Sequence, residues 1–247
     1  MIQGLIMFGK YLSLLGNVFS RPENRKVYFR RVLDEMVKLG VNSLTIVSII
    51  SLFMGAVVTI QTGLQLSNPF IPKYLIGFAT RESLILEFSP TMIALILAGK
   101  VGSSIASEIG TMRVSEQIDA LEIMGINSSA FIIQPKIIAS VLFFPILVII
   151  SMAIGMFGGF LAATLGGIIS KAEFLQGLLY WFQPFYVLYA LVKTVFFAFT
   201  ISSVSSFFGY YTDGGAIAVG KSSTKAVVYS CIVILIVNFI ITQLMLS

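Results

Sequence analysis

Histidine is absent from this 247-residue chain, and cysteine occurs only once. Without histidine the chain has no Ser-His or Cys-His catalytic pair and no His-based metal site. The single cysteine, Cys231, lies in an apolar run, where it is expected to act as a small hydrophobic residue. We therefore expect no metal site, no internal disulfide and no cofactor bound by this chain.

Charge is also scarce, because 11% of the residues are charged and 57% are hydrophobic. Soluble domains carry about 25% charged residues, so the composition indicates a membrane protein. At about 20 residues per span, the chain has room for five or six helices and none for a separate ATPase domain. Any energy source is then another chain or an ion gradient. The net charge is +5, and the charged residues cluster at the edges of apolar runs, which favours membrane anchoring over nucleic-acid binding.

The first 40 residues contain two amphipathic stretches and no secretory signal peptide. The apolar residues recur at helical spacing, which is typical of helices that lie in the membrane surface. They are Leu5, Phe8, Leu12, Leu15 and Phe19 in the first stretch, and Phe29, Val32, Leu33, Met36 and Val37 in the second.

Five apolar segments follow, at about 41–65, 84–107, 131–168, 182–208 and 226–246. The third is long enough to be split into two spans. We interpret it as one, because residues 137–170 contain no Lys, Asp or Glu that would mark a turn. The sequence therefore predicts an all-α integral membrane protein of five spans preceded by interfacial helices, all within one domain of residues 1–247.

The distribution of Lys and Arg predicts the orientation of these spans. With the N-terminus in the cytoplasm, the inner segments hold eleven basic residues and the outer loops hold three, and the C-terminus lies outside. The outer three are Lys73, Arg81 and Lys171; the inner ones are Lys10, Arg21, Arg25, Lys26, Arg30, Arg31, Lys38, Arg113, Lys136, Lys221 and Lys225.

Small residues recur every four positions in the second and third predicted spans. Such stripes let helix backbones approach closely where lipid offers no hydrophobic contrast. We expect helix packing, with a subunit interface as a further role. The stripes are Ala98, Gly102, Ala106 and Gly110, and then Gly155, Gly159, Ala163 and Gly167.

Three charged residues, Glu87, Lys100 and Lys193, fall inside the predicted spans. Each needs a partner, water or a functional site, because an isolated charge in the bilayer is unfavourable by about 3 kcal/mol. Two interpretations stay open: a Glu–Lys pair that holds helices together, or a polar lining for a lipid head group. The sequence does not pair Glu87 with either lysine.

The segment between the second and third spans, residues 107–126, predicts a short acidic helix. Gly110 is expected to end the membrane helix, Thr111 or Ser115 to cap a new one, and Gly125 to end it. An acidic helix among basic cytoplasmic segments is better suited to docking a protein than to anionic lipid.

This region also carries a resemblance to a known family. The residues 87–90 (EFSP), 98–103 (AGKVGS) and 108–121 (EIGTMRVSEQIDAL) closely resemble the MlaE (YrbE) permeases, the membrane subunits of ABC transporters that work with mammalian-cell-entry (MCE) proteins. Further matches lie at 193–196, at 209–228 and at Gln61. The family often has an arginine directly before the glutamate, where this chain has Leu86.

The resemblance implies a homodimer in the bacterial inner membrane that binds two cytoplasmic ABC ATPases carrying ATP and Mg²⁺. It also implies a periplasmic, hexameric MCE protein, and a small STAS-type accessory protein is a further candidate. The helix near 111–124 would be the coupling helix that contacts the ATPase. The residues implied for that contact are Glu108, Arg113, Glu116, Gln117, Asp119 and Glu122.

By the same resemblance, the chain would move phospholipid between the inner membrane and the MCE assembly and so maintain outer-membrane lipid asymmetry. The residues implied for the lipid cavity are Val58, Gln61, Leu66, Glu87 and Lys193. The chain would be a permease subunit and not an enzyme. Two alternatives remain: an intramembrane lipid-modifying enzyme, for which no nucleophile–base pair is evident, and a passive anchor, which would not need buried charges.

Overall fold

The computed structural model of the protein describes residues 2–19, 25–66, 68 and 70–246. Most of these residues lie in helices, and none lies in a strand. They contain five helices that are long and apolar enough to cross a membrane, as predicted. These spans are Val27–Gln65, Tyr74–Val114, Ser128–Leu165, Pro184–Tyr210 and Ala216–Leu246.

The N-terminal part begins with α1 (Ile2–Val18). The second amphipathic stretch forms the helix α2 (Arg25–Glu35). It continues through a π-helical turn (Met36–Gly40) and a 3-10 turn (Val41–Ser43) into α3 (Leu44–Gln65). The first span is therefore one long helical rod with an amphipathic beginning.

The second span alternates between two kinds of helix. It runs through α4 (Tyr74–Ser83), a nine-residue π-helix (Leu84–Met92), α5 (Ile93–Leu97), a second π segment (Ala98–Gly102) and α6 (Ser103–Val114). Pro90 lies inside the first π segment, where its missing N–H does not break the helix. π segments are rare and are frequently found at functional sites.

Gly110 does not end this helix, so the predicted break is wrong. Its absent side chain serves packing instead, since a Cβ there would lie 3.2 Å from Thr212 Oγ1 and 3.3 Å from Val219. The chain turns after Val114, where Glu116 adopts a left-handed conformation with φ of 59°. Then α7 (Gln117–Ile123) follows, and Gly125, with φ of 76°, ends that excursion.

The third span is a single helix, α8 (Ser128–Leu165), as predicted, and it accommodates both Pro135 and Pro145. After it comes α9 (Lys171–Leu179), where the sequence analysis expects an outer loop. The signal for it was a capping box, in which Ser170 accepts a hydrogen bond from the Glu173 N–H and the Glu173 carboxylate accepts one from the Ser170 N–H. The last two spans are α10 (Pro184–Tyr210) and α11 (Ala216–Leu246). We refer below to the α7 end and the α9 end of the bundle.

Glycine brings the first and third spans into backbone contact. A Cβ on Gly55 would lie 1.8 Å from the Gly155 carbonyl oxygen, and one on Gly158 would lie 2.1 Å from the Leu52 oxygen. Ser51 donates a hydrogen bond to Ser151 across the same interface, at 2.8 Å. Moving these two helices apart, or adding a side chain between them, would therefore disrupt their packing.

The other stripe, Ala98, Gly102, Ala106 and Gly110, faces the fourth and fifth spans. Ala98 and Ala106 are fully buried. A Cβ on Gly102 would lie 2.8 Å from Ser205 Oγ, and one on Gly209 would lie 2.8 Å from the Ala106 oxygen. The residues of this stripe therefore pack against other helices of the same subunit.

Candidate functional site

Glu87 and Lys193 form an ion pair inside the bundle, between the second and fourth spans. Lys193 Nζ lies 2.7 Å from Glu87 Oε1 and 3.3 Å from the Leu86 carbonyl oxygen. The lysine side chain is fully buried, whereas the glutamate side chain is 44% exposed. The pair thus has one carboxylate edge that remains reachable from outside the subunit.

Neutral polar groups complete the surroundings of the Glu87 carboxylate. Thr91 donates to Glu87 Oε2 at 3.0 Å, and the Asn238 amide, on the fifth span, donates to the same oxygen at 3.2 Å. The Thr242 hydroxyl lies 3.5 Å from Glu87 Oε1 and forms a hydrogen bond with the Tyr189 hydroxyl. The centroid of the Tyr189 ring lies 4.5 Å from Lys193 Nζ. The π-helical backbone of residues 84–92 presents Glu87 to this cluster. Three spans therefore meet at one polar site.

Lys100 takes no part in this site. Its ammonium donates to the Asn42 carbonyl oxygen, in the 3-10 turn that precedes α3. The sequence left open which lysine pairs with Glu87, and in the structure that lysine is Lys193.

The remaining residues of the predicted lipid cavity lie on the first span or directly after it, and within the described part of the chain they form no hydrogen bond or ion pair with the Glu87 cluster. Val58 is buried. Gln61 is exposed, and Leu66 packs against the small cluster of Ile76 and Phe174 at the α9 end.

Arg81, upstream of Leu86, does not replace the arginine that the family often has beside the glutamate. It is 1% exposed and donates to the carbonyl oxygens of Leu178 and Tyr180 at 2.6 and 2.9 Å. It also pairs with Glu82 at 2.6 Å. The guanidinium therefore caps the C-terminal end of α9, where carbonyl groups lack helical partners.

A second ionic cluster, which the sequence analysis missed, lies at the α7 end. Lys136 is 2% exposed and contacts Glu35 at 2.6 Å and Glu108 at 2.9 Å, and Lys38 contacts Glu108 at 2.7 Å. These four residues join the first three spans. Nothing in the sequence distinguished Lys136 from a solvated loop lysine, since its partners are distant in sequence.

The helix α7 is attached to the bundle through Glu122. Its Oε1 accepts hydrogen bonds from Ser128 at 2.8 Å and from Tyr210 at 2.9 Å, and these bonds lower the pKa of the carboxyl below its ordinary value. Ile118, which is fully buried, anchors the apolar side. The helix is held in place at the junction of the third and fourth spans.

The residues predicted to contact an ATPase thus fall into two groups. Glu108, Glu122 and the Arg113–Asp119 pair, at 2.6 Å, are engaged within the chain. Glu116 and Gln117 are exposed. Two further residues at the tip of α7, Ile123 and Met124, are 88% and 65% exposed and were not predicted. Their exposure follows from the short helix, whose single apolar face is already occupied by Ile118.

Residues 215–222 (GAIAVGKS) match the spacing of a nucleotide-binding P-loop, GxxxxGK[ST]. Gly215 lies directly before α11 and the other residues form its first turns, and no strand precedes them among the described residues. A P-loop needs a loop between a strand and a helix, so this match indicates no ATP site. No group of His, Cys, Asp or Glu suited to a metal ion occurs in the described chain either.

The comparison with known proteins gives a consistent result. A family profile described as "Permease MlaE" matches residues 32–244. A "Probable ABC transporter permease protein" of Rickettsia bellii is 38% identical over 88% of this chain and 84% of the relative. The "Intermembrane phospholipid transport system permease protein MlaE" of Haemophilus influenzae is 32% identical over 94% of this chain and 88% of the relative. The chloroplastic "Protein TRIGALACTOSYLDIACYLGLYCEROL 1" of Arabidopsis thaliana is 31% identical over 93% of this chain and 65% of the relative.

Proposed function

This chain belongs to the MlaE permease family, and from that premise we propose that it moves phospholipid between the inner membrane and a periplasmic MCE assembly. It is a multi-pass permease subunit of an ABC transporter for lipid, and not an enzyme. The observation that carries the proposal is the Glu87 cluster, a charged and half-exposed site among membrane-spanning helices.

The chemistry of that cluster suits a phospholipid head group. An isolated carboxylate would be unfavourable in the bilayer, but Lys193 neutralises it and Asn238 and Thr91 hydrogen-bond to it. The exposed edge of the carboxylate can exchange these partners for the cationic group of a zwitterionic lipid. We propose that Val58, Gln61 and Leu66 line the same chamber in a homodimer, with the first span of one subunit facing Glu87 of the other.

We further propose that α7 is the coupling helix for a cytoplasmic ATPase, two copies of which bind the dimer. Glu116 and Gln117 supply polar contacts, and the exposed Ile123 and Met124 supply an apolar knob for a groove. Because Glu122 bonds to Ser128 and Tyr210, displacement of α7 acts directly on the third and fourth spans. In the proposed orientation the N-terminus lies in the cytoplasm and the C-terminus in the periplasm, which the Lys and Arg distribution supports. MCE binding, a STAS-type subunit and a role in outer-membrane asymmetry complete the proposal.

The coupling role is tested by Ile123→Glu, with Leu179→Glu as its matched control. Leu179 is 79% exposed at the opposite end of the bundle. We expect Ile123→Glu and Glu116→Lys to lose ATPase on co-purification while the permease stays folded, and Leu179→Glu to retain it. If both Glu variants at the two ends behave alike, α7 is not the docking element.

The chamber is tested by a photo-crosslinking amino acid at Gln61, with one at Phe53, 64% exposed, as the bilayer-facing control. We expect phospholipid adducts at both positions. Only the adduct at position 61 should fall when Glu87→Gln and Lys193→Met are combined. If the double variant leaves the adduct at position 61 unchanged, Gln61 and Glu87 do not line the same chamber.

A further inference from the structure

Two neighbouring cavities at the α7 end share a lysine and a tyrosine. The first, of about 230 Å³, lies between α1, α10 and α11 and is lined by Met7, Lys10, Phe207, Phe208, Tyr211, Ser222 and Lys225. The second, of about 420 Å³, is lined by Lys10, Arg113, Tyr210, Tyr211, Thr212 and Asp213. Liquid water occupies about 30 Å³ per molecule, so the first cavity holds a group of several heavy atoms. The Glu87 site lies in another part of the bundle.

The charged side chains that line the first cavity are all basic. Lys10 and Lys225 both line it, and no acidic residue does. Neither lysine belongs to any ion pair formed within the described residues. The nearest aromatic contact of the Lys10 ammonium is the Tyr211 ring, 5.7 Å from its centroid. In the second cavity Asp213 is present, and Arg113 is neutralised by Asp119.

The floor of the first cavity is aromatic, and it leads to the exposed apolar surface of the last span. Phe207 and Phe208 are buried beneath it. Phe208 stacks on Tyr229 with ring centroids 5.0 Å apart, and Tyr229 is 46% exposed. Along α11 the exposed apolar side continues through Ile232, Ile236 and Phe239. An acyl chain can follow this surface from the cavity into the bilayer.

The helix α1 places the cavity at a membrane surface. Leu14 and Val18 are buried against the bundle, whereas Ile6, Phe8 and Leu12 are 55%, 60% and 52% exposed. A helix with one apolar side docked on the protein and another left open lies in the interface between water and lipid. Lys10 is on this helix, so its ammonium is at the depth of lipid head groups.

From these contacts we propose that the cavity between α1, α10 and α11 binds the head group of an anionic phospholipid. The phosphodiester lies between the Lys10 and Lys225 ammonium groups, the Ser222 hydroxyl donates to it, and the first part of an acyl chain covers Phe208 and Tyr229. Basic pockets between membrane helices bind anionic head groups in this way. The bound lipid would hold α1 on the bundle, as a resident lipid distinct from the transported one.

An acidic segment of a cytoplasmic protein is a less suitable occupant, because the cavity opens beside the exposed apolar residues of α1 and α11. A free phosphate would use the lysines but would leave Phe208 and Tyr229 uncovered. The assignment does not depend on the proposed transport function, since it needs only a membrane surface at this end of the bundle.

The test is native mass spectrometry of the delipidated full-length chain in detergent, titrated with dioleoylphosphatidylglycerol or dioleoylphosphatidylcholine. The double variant Lys10→Gln, Lys225→Gln is compared with Lys73→Gln, Lys171→Gln, which removes the same charge at the α9 end. We expect the phosphatidylglycerol complex to be favoured at least about fivefold over phosphatidylcholine. This preference should disappear in the first double variant and persist in the second.

A second measurement distinguishes the sources of the anion. Thermal unfolding, followed through the single tryptophan, Trp181, should shift upward with phosphatidylglycerol and not with millimolar glycerol phosphate. Equal shifts with the soluble anion, or a lipid preference that survives in the Lys10/Lys225 variant, would overturn the proposal. So would loss of the ATPase from that variant with unchanged lipid binding, because the cavity would then be a protein contact.

Discussion

Two lysines, Lys136 and Lys193, are almost completely buried in this protein, and their surroundings differ. Lys136 is held by two carboxylates, Glu35 and Glu108, and joins the first three spans at the α7 end. Lys193 has one carboxylate, Glu87, whose side chain is 44% exposed, and joins the second, fourth and fifth spans through neutral neighbours.

The difference separates a structural half of the molecule from a half suited to binding. The first and third spans combine the Lys136 cluster with backbone contact at Gly55 and Gly155, so that their relative position is fixed. Around Lys193, hydroxyl and amide groups can each find other partners, and the carboxylate is accessible. Buried charge by itself therefore does not indicate a ligand site; the exposed partner and the neutral surroundings do.

The largest effect is expected for Lys136→Met. It leaves Glu35 without its ion-pair partner, and breaking one side of a buried pair destabilises proteins by about 3–5 kcal/mol. Lys38→Met is the control, because Lys38 contacts the same Glu108 but its side chain is 48% exposed. An exposed pair contributes about 1 kcal/mol or less. Thermal unfolding in detergent measures the stability of both variants. Equal losses of stability would contradict a structural role for the buried Lys136 cluster.

The next effect concerns the backbone contact in the same half. Gly55→Ala would place a methyl group 1.8 Å from the Gly155 oxygen in the present packing, so the helices must move apart. We expect a loss of about 1–3 kcal/mol. Gly99→Ala is the matched control, since a Cβ there meets nothing within 4 Å. A destabilised Gly99 variant with an unaffected Gly55 variant would reverse this interpretation.

A smaller effect on stability is expected for Lys193→Met, about 1–2 kcal/mol, because Glu87 stays hydrogen-bonded and half-exposed. Adding Glu87→Gln should restore most of the stability, since the remaining groups are neutral. Lipid transfer from proteoliposomes should stay low in both variants. A double variant that recovers transfer along with stability would make this pair structural, like the Lys136 cluster.

The smallest effect lies where α7 bridges the two halves. The Glu122 pKa is lowered by hydrogen bonds from Ser128 and Tyr210, so its contribution is full above the ordinary glutamate pKa of about 4.3. It is lost as the pH falls through the lowered folded-state value. We expect amide protection of α7, corrected for intrinsic exchange rates, to decrease below about pH 4. Glu122→Gln should weaken protection at neutral pH and remove this dependence.

Much of the fold could be predicted from the sequence, because lipid imposes length and apolarity on every span. The single third span and the five-span count followed from that constraint. The positions of the breaks did not, because Gly110 is used for packing against Thr212 and Val219, and the turn is made at Glu116 instead. Helix α9 was missed, although Ser170 and Glu173 carried its capping signature.

The candidate site could be predicted only in outline. Glu87 and Lys193 stood out because a charge inside an apolar run requires an explanation, but their pairing and the contributions of Asn238 and Thr91 depend on helices distant in sequence. The family resemblance assigned Glu108 and Glu122 to contact with a partner protein. In the structure each has partners within the chain.

Arg81 gives the α9 end a mechanical property. Its guanidinium fastens the last carbonyls of α9 to the start of the second span, and the π-helical segment that carries Glu87 begins three residues further on. A displacement of α9 would therefore be transmitted through Arg81 to the helix that presents Glu87.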